Sequence, residues 1–260
     1  ILSYSSIDNF YKCKFKFYLN NILKITPFEE TFAIKIGNIF HHILEKCNRE
    51  NFNYEQSFIE ELSNMEFNSM ERVFLKKLKS DLKFIIDVIQ KQNHFSRLTE
   101  EEHEKRIYVN KDKTISITFM GVIDKVKYTE QDGNIYLAII DYKTGNPITN
   151  LTKTFYGLDM QLPIYLYLLH NSNQFKNAEV VGIYLQKILN NELAYNPKKD
   201  YWKQKEEQLK LEGYSIDNPE LISLFDTTYQ DSEIIKGMKT SKNGFYAYTK
   251  IITKKHSPNI

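Results

Sequence analysis

Cysteine is scarce: Cys13 and Cys47 are the only two in 260 residues, too few for a disulfide framework and too few for a four-thiolate cluster within this chain. No apolar run approaches the roughly 20 residues that a membrane helix needs. The opening residues also lack a basic flank followed by a continuous apolar stretch, so no secretory leader is indicated. These absences predict an intracellular, cytoplasmic protein that does not engage membranes; an organelle stays open. Neither charge sign dominates, since 35 Lys and Arg oppose 33 Asp and Glu for a formal +2. Bulk electrostatics therefore does not advertise a polyanionic partner, and local patches must do so if one exists. The phosphate-binding pattern G-x-x-x-x-G-K-(S/T) is missing, so nucleotide hydrolysis must be supplied elsewhere if it is used. Internal repeats and low-complexity blocks are absent too. With 42% hydrophobic and 26% charged residues, disorder is not indicated and the length can bury a sizeable core.

What is present concentrates around one dipeptide. Asp132-Gly133 lies at the midpoint of the interval from Asp124 to Asp141, and Asp-Gly between apolar runs signals a two-residue hairpin turn, because both central residues need positive φ. If these two are the loop, paired residues sum to 265, and 124 + 141 = 265. The two aspartates then face each other, with Cβ atoms about 4.5–5.5 Å apart. Lys143, two residues beyond Asp141, points to the same face.

The setting makes that convergence costly. Met120, Val122, Val126 and Tyr128 share the face of Asp124, Ile135, Leu137 and Ile139 that of Asp141, and the other face of the second strand carries Tyr136, Ala138 and Ile140. The second strand reads as buried on both sides. Two carboxylates close together in apolar surroundings repel and lose hydration unless one takes a proton or a cation sits between them. Oxygen ligands suit Mg²⁺ or Mn²⁺. The plainer alternative is a surface hairpin with solvated aspartates, one of them paired with Lys143.

Gly121-Val122-Ile123-Asp124-Lys125-Val126 followed by Ile139-Ile140-Asp141-Tyr142-Lys143-Thr144-Gly145 resembles the motif pair of the PD-(D/E)XK nuclease superfamily, in its RecB-like branch. Other pieces follow the same order. Gly37-Asn38-Ile39-Phe40-His41 is similar to the upstream GxxxH motif, and Gln161-Leu162-Pro163-Ile164-Tyr165 to the downstream QxxxY motif. The opening stretch from Ser3 to Phe17 resembles the first helix of AddB/RexB-type C-terminal nuclease domains. The resemblance implies that His41, Asp124, Asp141 and the backbone carbonyl of Tyr142 hold Mg²⁺ or Mn²⁺, with Asp124, Asp141 and Lys143 catalytic. Gln161 and Tyr165 would shape the site and contact DNA, and Glu104 falls where the family often places an additional acid. It further implies a metal-dependent deoxyribonuclease, an exonuclease module acting on DNA ends or single strands in recombinational repair beside the bacterial nucleoid, partnered by a helicase domain or subunit. Two other readings stay open: a catalytically silent DNA-binding or scaffolding module of a helicase–nuclease complex, and a free-standing exonuclease of the mitochondrial genome maintenance type. In several relatives the first-helix cysteine joins three late cysteines around an iron–sulfur cluster. Here no partner cysteines follow Tyr165 and Lys14 replaces the usual proline, so either the cluster is lost or this sequence ends before it, and Cys13 is expected to be a helix-packing thiol.

Each residue also has an ordinary explanation. His41 on a helix, Gln161 and Tyr165 four apart on one face, and Glu104 in a charge run are all compatible with packing or solvation alone. His42 points away from His41 and reads as structural. Lysine patches at Lys12, Lys14 and Lys16, at Lys76, Lys77 and Lys79, and at Lys236, Lys239 and Lys242 are candidate phosphate contacts. The aromatics Phe245, Tyr246 and Tyr248 fit core closure better than base stacking.

Patterning predicts helices from Ser5 or Ser6 to about Leu19, from near Ala33 to Cys47, from Tyr54 to Leu62 and from Ser69 to about Gln92, the last with a stripe at Val73, Leu75, Leu78, Leu82, Ile85, Ile86 and Ile89. Strands follow at roughly 105–110, 114–128 and 134–143, then a helix at about 157–171 and a strand near 178–187. That order is an α/β (α+β) mixed sheet, the αβββαβ nuclease core, with an N-terminal helical insertion and a helical C-terminal extension. One domain is expected over 1–260: a mainly helical part at 1–97, the sheet core at 98–190 and the extension at 191–260. Beginning at Ile1, it reads as a module excised from a longer protein.

Overall fold

The structure, a computed structural model, describes residues 2–25, 30–110, 118–145, 151–189, 193, 197–198, 200–241, 244–247 and 250–252. In chain order, β1 (Leu2–Ser3) leads into α1 (Tyr4–Lys12), α2 (Lys14–Phe17), a π-helical turn at Tyr18–Leu23, α3 (Phe32–Lys46), α4 (Tyr54–Ser63) and α5 (Ser69–Asn93). Then come β2 (Glu100–Asn110), β3 (Thr118–Gln131), β4 (Asn134–Lys143), a 3₁₀ turn at Leu151–Tyr156, α6 (Gln161–His170) and β5 (Glu179–Lys187). The remainder is α7 (Tyr201–Gln208), β6 (Glu212–Ile216), α8 (Pro219–Phe225), β7 (Met238–Ser241), β8 (Gly244–Ala247) and β9 (Lys250–Ile252).

The hairpin forms in the expected register. Seven pairs from Lys125–Ile140 to Gln131–Asn134 all sum to 265, and Asp132 (φ 53°) and Gly133 (φ 76°) make the turn. The ladder stops one pair short of Asp124 and Asp141. β2 runs antiparallel along β3, so the other edge of β3 is shared: β4 takes Lys125 onward, and β1 pairs in parallel with Phe119 and Met120. An interval of β3 edge around Gly121–Asp124 is left between them. β5 lies parallel to β4, a pairing that needs a crossover, which α6 provides.

Period-two alternation sorts β4 between two cores. Ala138, Ile140 and Tyr142 join the cluster built by α3, α5 and α8, whereas Leu137 and Ile139 join that of α6. Both faces of this strand are thus covered, as its unbroken apolar run predicts. On α5, Asn68 and Glu71 form a reciprocal capping box, and Leu75, Leu82, Ile85, Ile86 and Ile89 are buried; Val73, counted in the same stripe, is exposed.

β2 begins five residues before the expected 105 and β3 runs three past the expected 128, and three further elements differ. The first helix starts earlier, capped by Ser3 because β1 ends there, and it breaks at Cys13, whose backbone is extended (φ −162°, ψ 106°). Exposed Cys13 then caps α2 by accepting from the Lys16 N–H at 3.4 Å, and so is not the packing thiol expected of it. α6 starts at Gln161 rather than near 157, since Gly157 (φ 73°) and Asp159 (φ 53°) are left-handed and cannot continue a helix. Beyond residue 191 the extension contributes strands as well as helices: β6 pairs with β5, and β9 with β6. Gly213 permits that pairing, because a Cβ there would stand 2.1 Å from the Ile183 carbonyl oxygen. Composition alone hid it beneath the polar run of α7.

Candidate active site

Where the hairpin ladder ends, side chains replace backbone. Tyr142 N–H, pointing toward β3 after the last pair, donates to Asp124 Oδ2 at 2.7 Å. Asp124 Oδ1 faces His41 Nδ1 at 3.4 Å. His41 stands on α3, capped by Thr31 and anchored by buried Ile36, Ile39, Phe40, Ile43 and Leu44, and its ring meets Tyr142 edge-on at 5.9 Å. Burial lowers the imidazole's proton affinity, but the hydrogen bond and charge of Asp124, with the charge of Asp141, outweigh it and leave the pKa raised.

On the α6 side, Gln161 connects the remaining groups. Its Nε2 donates to Asp141 Oδ1 at 2.7 Å and lies 2.9 Å from the Tyr165 hydroxyl, while its Oε1 accepts from Lys143 Nζ at 2.6 Å. Lys143 also ion-pairs with Asp141 Oδ2, an oxygen on a carboxylate almost wholly shielded from solvent. Asp141 is 1% exposed, and burial followed by the charge of Asp124 pushes its pKa up to about 7 against the opposing pull of Lys143 and His41. This is the like-charge cost foreseen from the spacing.

Gly121 makes the α6 contribution possible. A Cβ there would lie 2.4 Å from Leu168 Cδ1 and 3.4 Å from Tyr165 Cε1, so a bare backbone lets α6 settle onto β3 and bring Gln161 to the carboxylates. The glycine stands in the first motif, yet its signal reads as packing only once α6 is seen above it.

His41, Asp124, Asp141, Lys143, Gln161 and Tyr165 therefore come together. Tyr165, expected to touch DNA, is 5% exposed and reaches the site through Gln161. Glu104 falls on β2 between the register pairs His103–Lys125 and Lys105–Ile123; its side chain lies outside the described residues, as do Lys242 and Tyr248. His42 accompanies Lys46 in holding Glu61 of α4, with His42 Nδ1 and Lys46 Nζ each 2.9 Å from its carboxylate, a structural clamp as expected. Lys79 pairs with Glu55 and Lys236 with Glu212. Tyr4, given no role from sequence, comes within electrostatic reach: burial, then Asp8, Asp159 and Asp141, push its phenol up to about 12.

Among the described residues no three His, Cys, Asp or Glu side chains form a ready-made ligand cage. The donor chemistry nonetheless fits a hard cation: two carboxylates and an imidazole converge, and the carboxylates outnumber the one ammonium beside them. No helix among them is long and apolar enough to cross a membrane.

Comparison with known proteins bears on the family. A sequence model of the PD-(D/E)XK nuclease superfamily matches residues 1–255. Among curated proteins, the chain is similar to an ATP-dependent helicase/deoxyribonuclease subunit from Oceanobacillus iheyensis (22% identity, 96% of this chain and 25% of the relative). The same-named proteins of Clostridium acetobutylicum (23%; 97% and 25%) and Clostridioides difficile (24%; 89% and 23%) are similar to it as well. The chain spans about a quarter of the length of these relatives. Motif order, hairpin register and a family match over nearly the whole length lead to one assignment: this chain belongs to the PD-(D/E)XK nuclease superfamily.

Proposed function

We propose that the chain is the nuclease module of a DNA-processing enzyme, a metal-dependent deoxyribonuclease that hydrolyses phosphodiester bonds as an exonuclease at DNA ends in recombinational repair. The observation that carries this reading is the joint of Asp124, Asp141, Lys143, His41 and Gln161 at the open end of one hairpin. Asp124, Asp141, His41 and the Tyr142 carbonyl are the groups that would hold Mg²⁺ or Mn²⁺. Such an ion, when bound, neutralises phosphate charge and makes hydroxide available near neutral pH.

The chain's own residues have separable tasks. Lys143, partly exposed and held by Gln161 Oε1, presents a fixed positive charge where negative charge grows on the phosphate, and orients the attacking water. Gln161 is a positioning residue, since it holds Asp141 and Lys143 together. Tyr165 fixes Gln161 in turn. Asp124 is oriented by the Tyr142 N–H and His41.

The deoxyribonuclease in the relatives' name favours DNA over RNA, and the helicase in it favours a helicase domain or subunit as partner. The test is incubation with end-labelled single- and double-stranded DNA in Mg²⁺, Mn²⁺ or EDTA. Degradation should require the ion and vanish in Asp141→Ala and Lys143→Ala. Equal cleavage by wild type and Asp141→Ala would sink the catalytic assignment; DNA binding without cleavage by wild type would favour the silent module.

A further inference from the structure

Between Asn9 and Ile25 the chain carries four lysines (Lys12, Lys14, Lys16, Lys24), five aromatics (Phe10, Tyr11, Phe15, Phe17, Tyr18) and no carboxylate, although Lys12 pairs with Asp8 just before it at 2.6 Å. Folding leaves much of this outside: Tyr11, Phe15 and Tyr18 are exposed, as are Phe155 and Tyr156 of the 3₁₀ turn before α6. Exposed aromatics of this number on consecutive elements call for an occupant. One contact joins the segments. Tyr11 packs on Gly157, where a Cβ would fall 2.6 Å from its ring, and Gly157 directly follows Tyr156. Phe10 braces the first segment, meeting Tyr11 edge-on at 5.6 Å and Phe17 at 5.4 Å, with Lys14 Nζ 5.6 Å above its ring.

This surface leads to the site. α1 begins with Tyr4, within reach of the Asp141 charge, and Tyr156 lies five residues before Gln161, which holds Asp141. We propose that Tyr11, Phe15, Tyr18, Phe155 and Tyr156, with Lys14 and Lys16, form a stacking platform for unpaired bases that feeds a single strand to the hairpin carboxylates. The inference rests on the nuclease reading for the strand's destination. The charge pattern favours nucleic acid over an apolar protein partner, because Lys14 and Lys16, with no acid between Asn9 and Ile25, suit a phosphate backbone and aromatic faces accept any unpaired base. A duplex, whose bases are already stacked, gains nothing from the rings.

The test separates binding from chemistry. Anisotropy of a fluorophore-labelled 20-nucleotide single strand, and of the matching duplex, is measured in EDTA for the wild-type chain and for Tyr11→Ala, Phe155→Ala and Tyr156→Ala. Each substitution should weaken single-strand binding roughly 5- to 20-fold and leave duplex binding unchanged, Tyr11→Phe should restore it, and Lys14→Gln with Lys16→Gln should flatten its salt dependence. Cleavage of a dinucleotide in Mn²⁺, too short to reach the platform, should stay at the wild-type rate in the aromatic variants. Unchanged single-strand binding by Phe155→Ala and Tyr156→Ala overturns the proposal, since both side chains are solvent-facing and their truncation spares the core. So do equal wild-type affinities for strand and duplex, a parallel loss of dinucleotide cleavage, or loss of self-association with oligonucleotide binding intact. Failure of the nuclease reading looks different: the wild type would bind the single strand and hydrolyse neither substrate.

Discussion

Two clusters of like charge start from adjacent residues of β3, and they have opposite fates. Asp124 meets Asp141 beside Lys143, two carboxylates to one ammonium; Lys125 and Lys127 meet Glu101, two ammoniums to one carboxylate, at 3.0 and 3.3 Å. Lys125 and Lys127 are buried, 2% and 3% exposed, beneath Glu101 and Asn93, which line an open cavity of about 860 Å³. Its polar groups find partners: Lys127 donates to Asn93 Oδ1 and Glu101 accepts from Asn48. The aspartate cluster is half open at His41 and Lys143, and its carboxylates outnumber the ammonium they share. Buried like charges therefore do not mark a functional site by themselves. The sign of the surplus decides, because excess carboxylates have lone pairs to offer a cation and excess ammoniums have none.

The largest expected effects set the clusters against each other. Asp141→Asn should cut DNA cleavage by about 10²–10³-fold or more, with the thermal midpoint equal to or above wild type because a repelling charge is gone. Glu101→Gln should behave inversely: leaving two buried ammoniums without a counter-charge costs about 3–5 kcal/mol, read as a lower urea midpoint, while cleavage per folded molecule stays near wild type. A stable Glu101→Gln variant would erase the distinction.

Gly121→Ala comes next, at roughly 1–3 kcal/mol for overpacking against Leu168. Since α6 carries Gln161, cleavage should fall along with stability. A loss of stability alone would show that α6 shifts without disturbing the carboxylates.

Lys127 supplies a pH dependence. Burial, and secondarily Lys125, lowers its pKa from 10.5 to about 8 despite Glu101. Between those values the unfolded chain binds a proton that the folded chain has released, so stability should rise with pH through that window. Lys127→Met should flatten the rise, by about 1–3 kcal/mol in all, measured as urea midpoints from pH 8 to 10. Smallest is the contrast of neighbours on α3: His41→Ala should impair cleavage, whereas His42→Ala should only loosen the clamp on Glu61, by roughly 1 kcal/mol.

Much of the hairpin was legible because its determinants are local. Asp132-Gly133 sets the turn, the turn sets the register, and alternation then fixes which residues share a face with Asp141. Less legible were Gln161's bridging of Asp141 and Lys143 and the strands after residue 191, each of which depends on partners distant in sequence. The lysine cluster escaped notice for the same reason: Lys125 and Lys127 read as ordinary strand polars until Asn93 and Glu101 close over them.

The sequence by itself determined the turn, the register and the supply of carboxylates, imidazole and lysine, since these follow from φ preferences and period-two alternation within about twenty residues. Only the tertiary structure decided which charges become a site. Whether Asp124 or Lys127 stays reachable depends on which helices cover each end of β3, and that is settled by packing between segments with no local code for one another.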